Sequence, residues 1–154
     1  NYTPLLQSQY LSKNSKVKLK LENFQITGSF KLRGAVNKLL SLSEQEKDQG
    51  VIAVSTGNHG KGVAYASKVL GIQSTIYMSS MVPHYRKEAI ENLGAKVEIV
   101  GKNSDEADLF AKQLSKEKNI FLMLGRKSGQ KRPLKVNGGN SDTNKKCFLF
   151  STLE

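Results

Sequence analysis

Between Val17 and Leu21 the chain alternates, with Val17, Leu19 and Leu21 on one side and Lys18 and Lys20 on the other. That is the period of a half-buried strand, and such a strand needs a sheet to pair with. Glu22 to Ile26 then leads into Thr27 and Ser29, either of which can cap a helix by offering its hydroxyl oxygen to unpaired backbone N–H groups. Leu32, Ala35, Val36, Leu39 and Leu40 recur at helical spacing, which places Lys31 in the first turn of a helix with one buried face. Ser41 to Gln49 is polar, and Gly50 closes it.

A compact run, Val51-Ile52-Ala53-Val54, is β-branched and bounded by glycine, as expected of a strand buried on both faces. A glycine-containing loop follows, then a helix from about Lys61 to Leu70 that Gly71 ends. The unit repeats in kind. Ser74 to Met78 reads as a strand, Pro83 precedes a helix running to about Leu93, and Gly94 caps it. Val97 to Val100 is the next strand, Asp105 begins a helix with Ala107, Phe110, Ala111 and Leu114 on one face, and Ile120 to Leu124 closes the series as a strand. Strands alternating with helices across short connections imply right-handed crossovers and an α/β fold, an open parallel sheet flanked by helices. Beyond Leu124 no period of 3.6 or 2 survives, so residues 125–154 are expected to form a basic, irregular and flexible tail. The abruptness of the change suggests a break in the reading frame, and the start at Asn1 without Met suggests a fragment.

The net charge of +11 invites a nucleic-acid partner, but its distribution argues otherwise. Up to Leu124, 17 Lys and Arg face 11 Asp and Glu, a balance of +6, and the last 30 residues add +5 from 7 against 2. Most lysines alternate with acids, as on solvated helix faces, so no nucleic-acid role is expected. One cysteine, Cys147, leaves no internal disulfide and no metal-ligand spacing. No apolar run approaches the roughly 20 residues of a membrane span, and no signal-peptide pattern opens the chain, so a soluble, cytoplasmic protein is expected.

Two stretches carry candidate chemistry: Thr27 to Ala35, and Ser55-Thr56-Gly57-Asn58-His59-Gly60. The second lies between a strand and a helix N-terminus, where open α/β sheets bind ligands and where backbone N–H groups favour an anion such as a carboxylate. Its spacing fits neither the GxGxxG dinucleotide pattern nor the GxxxxGK[ST] phosphate loop. Asn58 and His59 add an amide and an imidazole that can orient a ring or accept a proton, although a lone histidine more often serves a structural hydrogen bond. Lys31, beside Phe30 and near a helix N-terminus, is placed to titrate low and act as a Schiff-base amine, against the alternative of a surface lysine snorkelling from the first turn.

The runs LKLENFQITGSFKLRGA and STGNHGKGVAYA, followed by LGAKVEIVG, resemble the fold-type II pyridoxal-phosphate enzymes, whose fold is tryptophan synthase β-like. Within them the chain is most similar to the threonine/serine dehydratase group that includes serine racemase, over about Thr3 to Leu122. The resemblance implies that Lys31 holds pyridoxal 5'-phosphate as a Schiff base and moves a proton at the substrate α-carbon. It implies that Phe30 packs by the cofactor, that Asn58 bonds its phenolic oxygen, and that Ser55, Thr56, Asn58 and His59 grip the substrate carboxylate. The implied activity is dehydration of a small hydroxy amino acid, L-threonine or L-serine, to a 2-oxo acid and ammonia, in a protein that is a homodimer at full length. Thr56 stands where the racemases carry serine, and Ser79 to Pro83 departs from the family's proline-rich version in a way that points to the hydroxyectoine-utilisation dehydratases. The family's phosphate-binding glycine loop lies in a half that this chain lacks, so the copy is expected to be incomplete. The expected domains are 1–50, carrying the cofactor lysine, a small α/β domain over 51–124, and the 125–154 tail. Three alternatives stand beside this reading: a non-catalytic remnant or amino-acid-carboxylate binding module, an amino acid racemase, and a basic nucleic-acid binder.

Overall fold

The computed structural model describes residues 1–12 and 16–125, together with the backbone strand 146–150. The alternating segment is strand β2 (Val17–Leu21), and its sheet is made by two partners the pattern did not announce. On one side β1 (Leu5–Gln7) pairs with it antiparallel, Leu6 opposite Leu19. The helix expected after the lysine loop is α1 (Lys31–Leu40), burying Leu32, Ala35 and Leu39. Neither expected cap takes the standard position. The residue before the helix is Phe30, without a side-chain cap; Ser29 Oγ accepts the Lys31 N–H at 3.3 Å, and Thr27 Oγ1 is buried with no hydrogen-bond partner.

The polar stretch after α1 contains a short helix, α2 (Glu44–Gln49), opened by a capping box in which Ser43 and Glu46 satisfy each other's backbone N–H. It buries nothing, which is why hydrophobic period could not reveal it. From there the elements run β3 (Val51–Val54), α3 (Asn58–Val69), β4 (Ser74–Met78), α4 (His84–Glu91), β5 (Lys96–Ile99), α5 (Ser104–Lys118) and β6 (Phe121–Met123). The last, β7 (Lys146–Phe150), pairs parallel with β2, Leu19 opposite Phe148, so part of the segment read as irregular tail is a strand. The rest of that expectation, on residues 126–145 and 151–154, lies outside the described residues.

The strands β3 to β6 form a parallel sheet in the order β5-β4-β3-β6. Strand alternation divides its burial between two faces. Val51, Ala53, Ile76 and Met78 join Val63 and Ala64 of α3, Ile90 of α4 and Leu39 of α1 in one core. Ile52 and Tyr77 point the other way and pack with Ala111 of α5. The sheet is therefore wound on both sides, and β3 and β6 are neighbours whose flanking helices lie on opposite faces. Such a strand pair is a topological switch point, which opens a crevice at the carboxyl ends of its strands. No helix among the described residues is long and apolar enough to cross a membrane.

Helix α1 packs chiefly on α3, where the two backbones touch, and its Lys38 Nζ lies 4.4 Å from the centroid of the Phe121 ring of β6. A Cβ on Gly62 would lie 3.2 Å from Leu32 N and from Lys31 C, and 3.3 Å from Lys31 O. These are backbone atoms and cannot swing aside. Gly62→Ala is expected to lower stability by about 1–3 kcal/mol through overpacking. Gly34→Ala, on the same helix with nothing within 4 Å of the added methyl, is expected to raise it by about 0.5–1 kcal/mol. Urea unfolding of both variants checks the pair; equal effects of one sign would show that the helix contact is not tight.

Candidate active site

Lys31 opens α1, half-buried, with its Nζ 5.3 Å from the centroid of the Phe30 ring. An ammonium over an aromatic face is attracted by the ring's quadrupole, so Phe30 limits where this amine can swing. The Lys31 carbonyl side of the helix abuts Gly62, which fixes the root of the side chain against the first turns of α3.

The loop from β3 to α3 is closed by its own serine. Ser55 Oγ accepts the N–H of Gly60 at 2.9 Å and of Gly57 at 3.3 Å, so this hydroxyl caps the start of α3. Its oxygen is committed to the loop's shape. Gly60 must be glycine here, since a Cβ would sit 2.8 Å from Ile90 Cδ1 and 3.1 Å from the Ser55 carbonyl. Asn58 and His59 are the first two residues of α3, half-buried at the sheet's carboxyl edge.

His59 Nε2 lies 3.1 Å from the carbonyl of Met123, the last residue of β6. A carbonyl only accepts, so Nε2 carries the proton and, in the neutral ring, Nδ1 is the acceptor. Burial lowers the pKa of His59, the bond to Met123 opposes that, and the positive charge of Lys31 lowers it further. The last effect shows that the structure brings His59 and Lys31 into electrostatic range although they lie on different helices. Gly125 closes over the ring, where a Cβ would stand 3.1 Å from His59 Cδ2. One imidazole thus ties the β3–α3 loop to the end of β6 across the switch point.

Thr56 is turned to a different space. It lines a cleft of about 330 Å³ together with Ser79, Arg86 of α4, and Asn103 and Ser104 at the start of α5; neither Lys31 nor His59 lines it. The Thr56 carbonyl accepts from Arg86 Nη1 at 3.5 Å, and Ser79 is 4% exposed. The sequence reading passed over Arg86, and it noted Ser79 only as the start of the segment that departs from the family's pattern. It also passed over Glu22, which is 1% exposed and paired with Arg33 two residues beyond Lys31. No group of three His, Cys, Asp or Glu side chains able to hold a metal ion exists among the described residues.

The donor set of this region fits an aromatic aldehyde cofactor. It has a primary amine beside an aromatic face, an amide opening a neighbouring helix, and a neutral imidazole within range of the amine. The orphaned Thr27 hydroxyl, buried in the loop that leads to the amine, has hydrogen-bonding capacity left for a ligand.

Comparison with known proteins gives the same direction. The L-threonine dehydratase catabolic TdcB of Staphylococcus aureus (strain USA300) is 46% identical over 124 residues, which are 79% of this chain and 36% of that protein. Among solved structures, the processed form of threonine deaminase isoform 2 from Solanum lycopersicum superposes with a TM-score of 0.76 at 36% identity, covering 80% of this chain and 37% of that one. Serine racemase from Dictyostelium discoideum gives 0.72 at 34% identity, covering 80% and 41%. The chain thus spans little more than a third of the length of these relatives. The family model of pyridoxal-phosphate dependent enzymes matches residues 1–138, and the chain belongs to that family.

Proposed function

We propose that this chain carries the lysine side of a pyridoxal-phosphate-dependent dehydratase site that converts L-threonine or L-serine to a 2-oxo acid and ammonia. The observation that carries the reading is the placing of Lys31 against α3, within electrostatic range of a neutral His59, at the switch point of a doubly wound sheet. Lys31 is the amine that binds the cofactor, Phe30 bounds the swing of that amine, and Asn58 is the donor for the cofactor's phenolic oxygen. When bound, the cofactor supplies an electron sink for the bond broken at the substrate α-carbon. Lys31 would also be placed to take the substrate α-proton.

The loop from Ser55 to His59 presents backbone N–H groups at the start of α3, where helix geometry favours a carboxylate. Ser55 serves this grip indirectly, by holding the loop's shape through Gly57 and Gly60. Thr56 faces the substrate from the Arg86 cleft, and His59 keeps the loop registered on β6. A neutral histidine suits that place, since an imidazolium would add a second positive charge beside Lys31. Within this reading the chain divides as 1–50, 51–124 and 125–154, acts in the cytoplasm, and belongs to a homodimer in the longer protein. The threonine dehydratase and threonine deaminase relatives favour dehydration, and the Thr56 hydroxyl keeps serine racemisation as the second reading.

Purified chain mixed with pyridoxal phosphate is expected to develop a visible band that borohydride fixes as an adduct on the Lys31 peptide and that Lys31→Ala abolishes. Equal bands from the two proteins would sink the assignment of Lys31 and favour a carboxylate-binding remnant. Given the band, release of 2-oxo acid from threonine and serine, against formation of D-serine, separates dehydratase from racemase.

His59 makes a pH prediction with a definite sign. Its folded pKa lies below the ordinary 6.5, so the unfolded chain binds more protons in the window between the two values. The stability that neutral His59 contributes is complete above 6.5 and drains away as pH falls through that window. Urea midpoints measured from about pH 7.5 down to about pH 5 should fall less steeply for His59→Gln than for the parent. Parallel slopes would mean that His59 titrates alike folded and unfolded.

A further inference from the structure

Glu22 is an acid buried almost completely, just after β2, and nothing in the proposed chemistry uses it. Its partners are fully built. Oε2 accepts Arg33 Nε at 2.8 Å; Oε1 accepts Arg33 Nη2 at 3.0 Å and the Thr3 hydroxyl at 2.6 Å. Arg33 Nη2 also reaches the Asn1 carbonyl at 3.2 Å and Thr3 Oγ1 at 3.3 Å, Gln25 Nε2 donates to the Asn1 carbonyl at 3.0 Å, and Lys20 Nζ donates to the Thr3 carbonyl. Four side chains in or beside the lysine loop, Lys20, Glu22, Gln25 and Arg33, therefore hold the first residues of the chain, with Glu22 at the centre.

The loop so enclosed buries Gln25, Thr27 and Ser29 but forms no long regular element. Between Glu22 and Lys31 it makes two backbone turns, Gln25 N–H to Glu22 O and Gly28 N–H to Gln25 O, and Gly28 sits at φ 75°, where a side chain would be strained. Phe24 and Ile26 face solvent. Gly62 and the buried Leu32, Ala35 and Leu39 hold the inner face of α1. The fork of Arg33 onto a fixed carboxylate holds its outer side two residues from Lys31, because a bidentate pair sets direction as well as distance.

We infer that Thr3, Glu22 and Arg33 form a clamp that positions Lys31 by tying the start of α1 to the N-terminal segment. All three are positioning residues, acting through the placement of Lys31. The Arg33 side chain is 48% exposed while Glu22 is buried, and an ion pair with one partner in solvent contributes little net stability, so its use here is better explained by geometry than by strength. Burial would raise the pKa of Glu22, and the hydrogen bonds from Arg33 and Thr3 with the charges of Arg33 and Lys20 overcome it and hold the carboxylate ionised.

The inference rests on Lys31 being the reactive amine, and its test separates the two. Lysines of the 154-residue chain are labelled by reductive 13C-methylation, and the Lys31 resonance is assigned by its loss in Lys31→Arg. In Glu22→Gln/Arg33→Met, which removes both charges at similar volume, the urea midpoint should stay close to the parent's. The Lys31 resonance should nevertheless move toward that of a freely exposed lysine, and adduct formation with pyridoxal phosphate should slow about 10- to 100-fold. Arg33→Lys, which keeps the charge and loses the fork, should shift the same resonance, and Thr3→Val should do so more weakly while the chain stays folded. A Lys31 resonance unchanged in the folded variants overturns the clamp. If the double variant fails to fold, Arg33→Lys and Thr3→Val decide. Absence of a Lys31-dependent band in the parent sinks the functional reading instead, leaving the resonance shifts to judge the clamp by themselves.

Discussion

Everything that makes this molecule chemically interesting depends on two helices touching backbone to backbone at Gly62. The α/β sheet can be assembled from β3 to β6 with its own helices, and it would then present an anion-friendly loop and nothing else. Lys31 belongs to a different part of the chain, the strip beside β2, and it meets the loop only because α3 has no side chain where α1 crosses it. A Cβ there would press on the backbone of Lys31 and Leu32 and shift α1. Sterics at one glycine therefore set how closely Lys31 approaches the loop, on which the proposed site depends.

Electrostatics then follow from the approach. Bringing an ammonium near the start of α3 sets it beside a region that already favours negative charge, and a second cation there would be repelled. Burial first, and the charge of Lys31 in addition, lower the pKa of His59 and favour its neutral form, and the Met123 carbonyl selects the tautomer in which Nε2 is the donor. The same hydrogen bond joins the loop after β3 to the end of β6, two strands whose helices lie on opposite faces. A structural histidine and a histidine of the ligand loop, which looked like competing readings in the sequence, are one side chain with two nitrogens in different roles.

Hydrophobic period revealed the parallel unit because its central strands β3 and β4 are buried on both faces and its major helices on one. Val51 to Val54 and Ser74 to Met78 show this most directly. It could not reveal α2, which is polar all round and exists by its capping box, nor β1, whose three residues are all exposed. Strand β7 escaped because its partner is β2, far away in sequence, and pairing partners leave no mark on period. The site was legible as residue types in two loops. Its geometry was not, since the contact of His59 with Met123 spans 64 residues and that of Arg33 with Glu22 reverses the chain through a turn-rich loop. The caps expected of Thr27 and Ser29 failed for a related reason: both side chains are buried where α1 begins, and burial redirects a hydroxyl from solvent-side capping to local or ligand partners.

The placement of Thr56 bears on which chemistry the site can complete. A dehydratase needs proton transfer at the α-carbon from one side only, whereas a racemase needs a donor on each side. Lys31 does not line the cleft that Thr56 lines, so in the proposed reading the two groups would approach a substrate from separate spaces. What distinguishes the outcomes is then the freedom of the second hydroxyl. Thr56 is β-branched and has fewer accessible rotamers than a serine, and its backbone carbonyl is engaged by Arg86. A stiff hydroxyl on a tethered backbone has little reach for delivering a proton, and it is well suited to standing as one fixed contact to a substrate. Among the described residues, that physical difference favours elimination over racemisation more directly than the mere presence of a hydroxyl at this position could favour either.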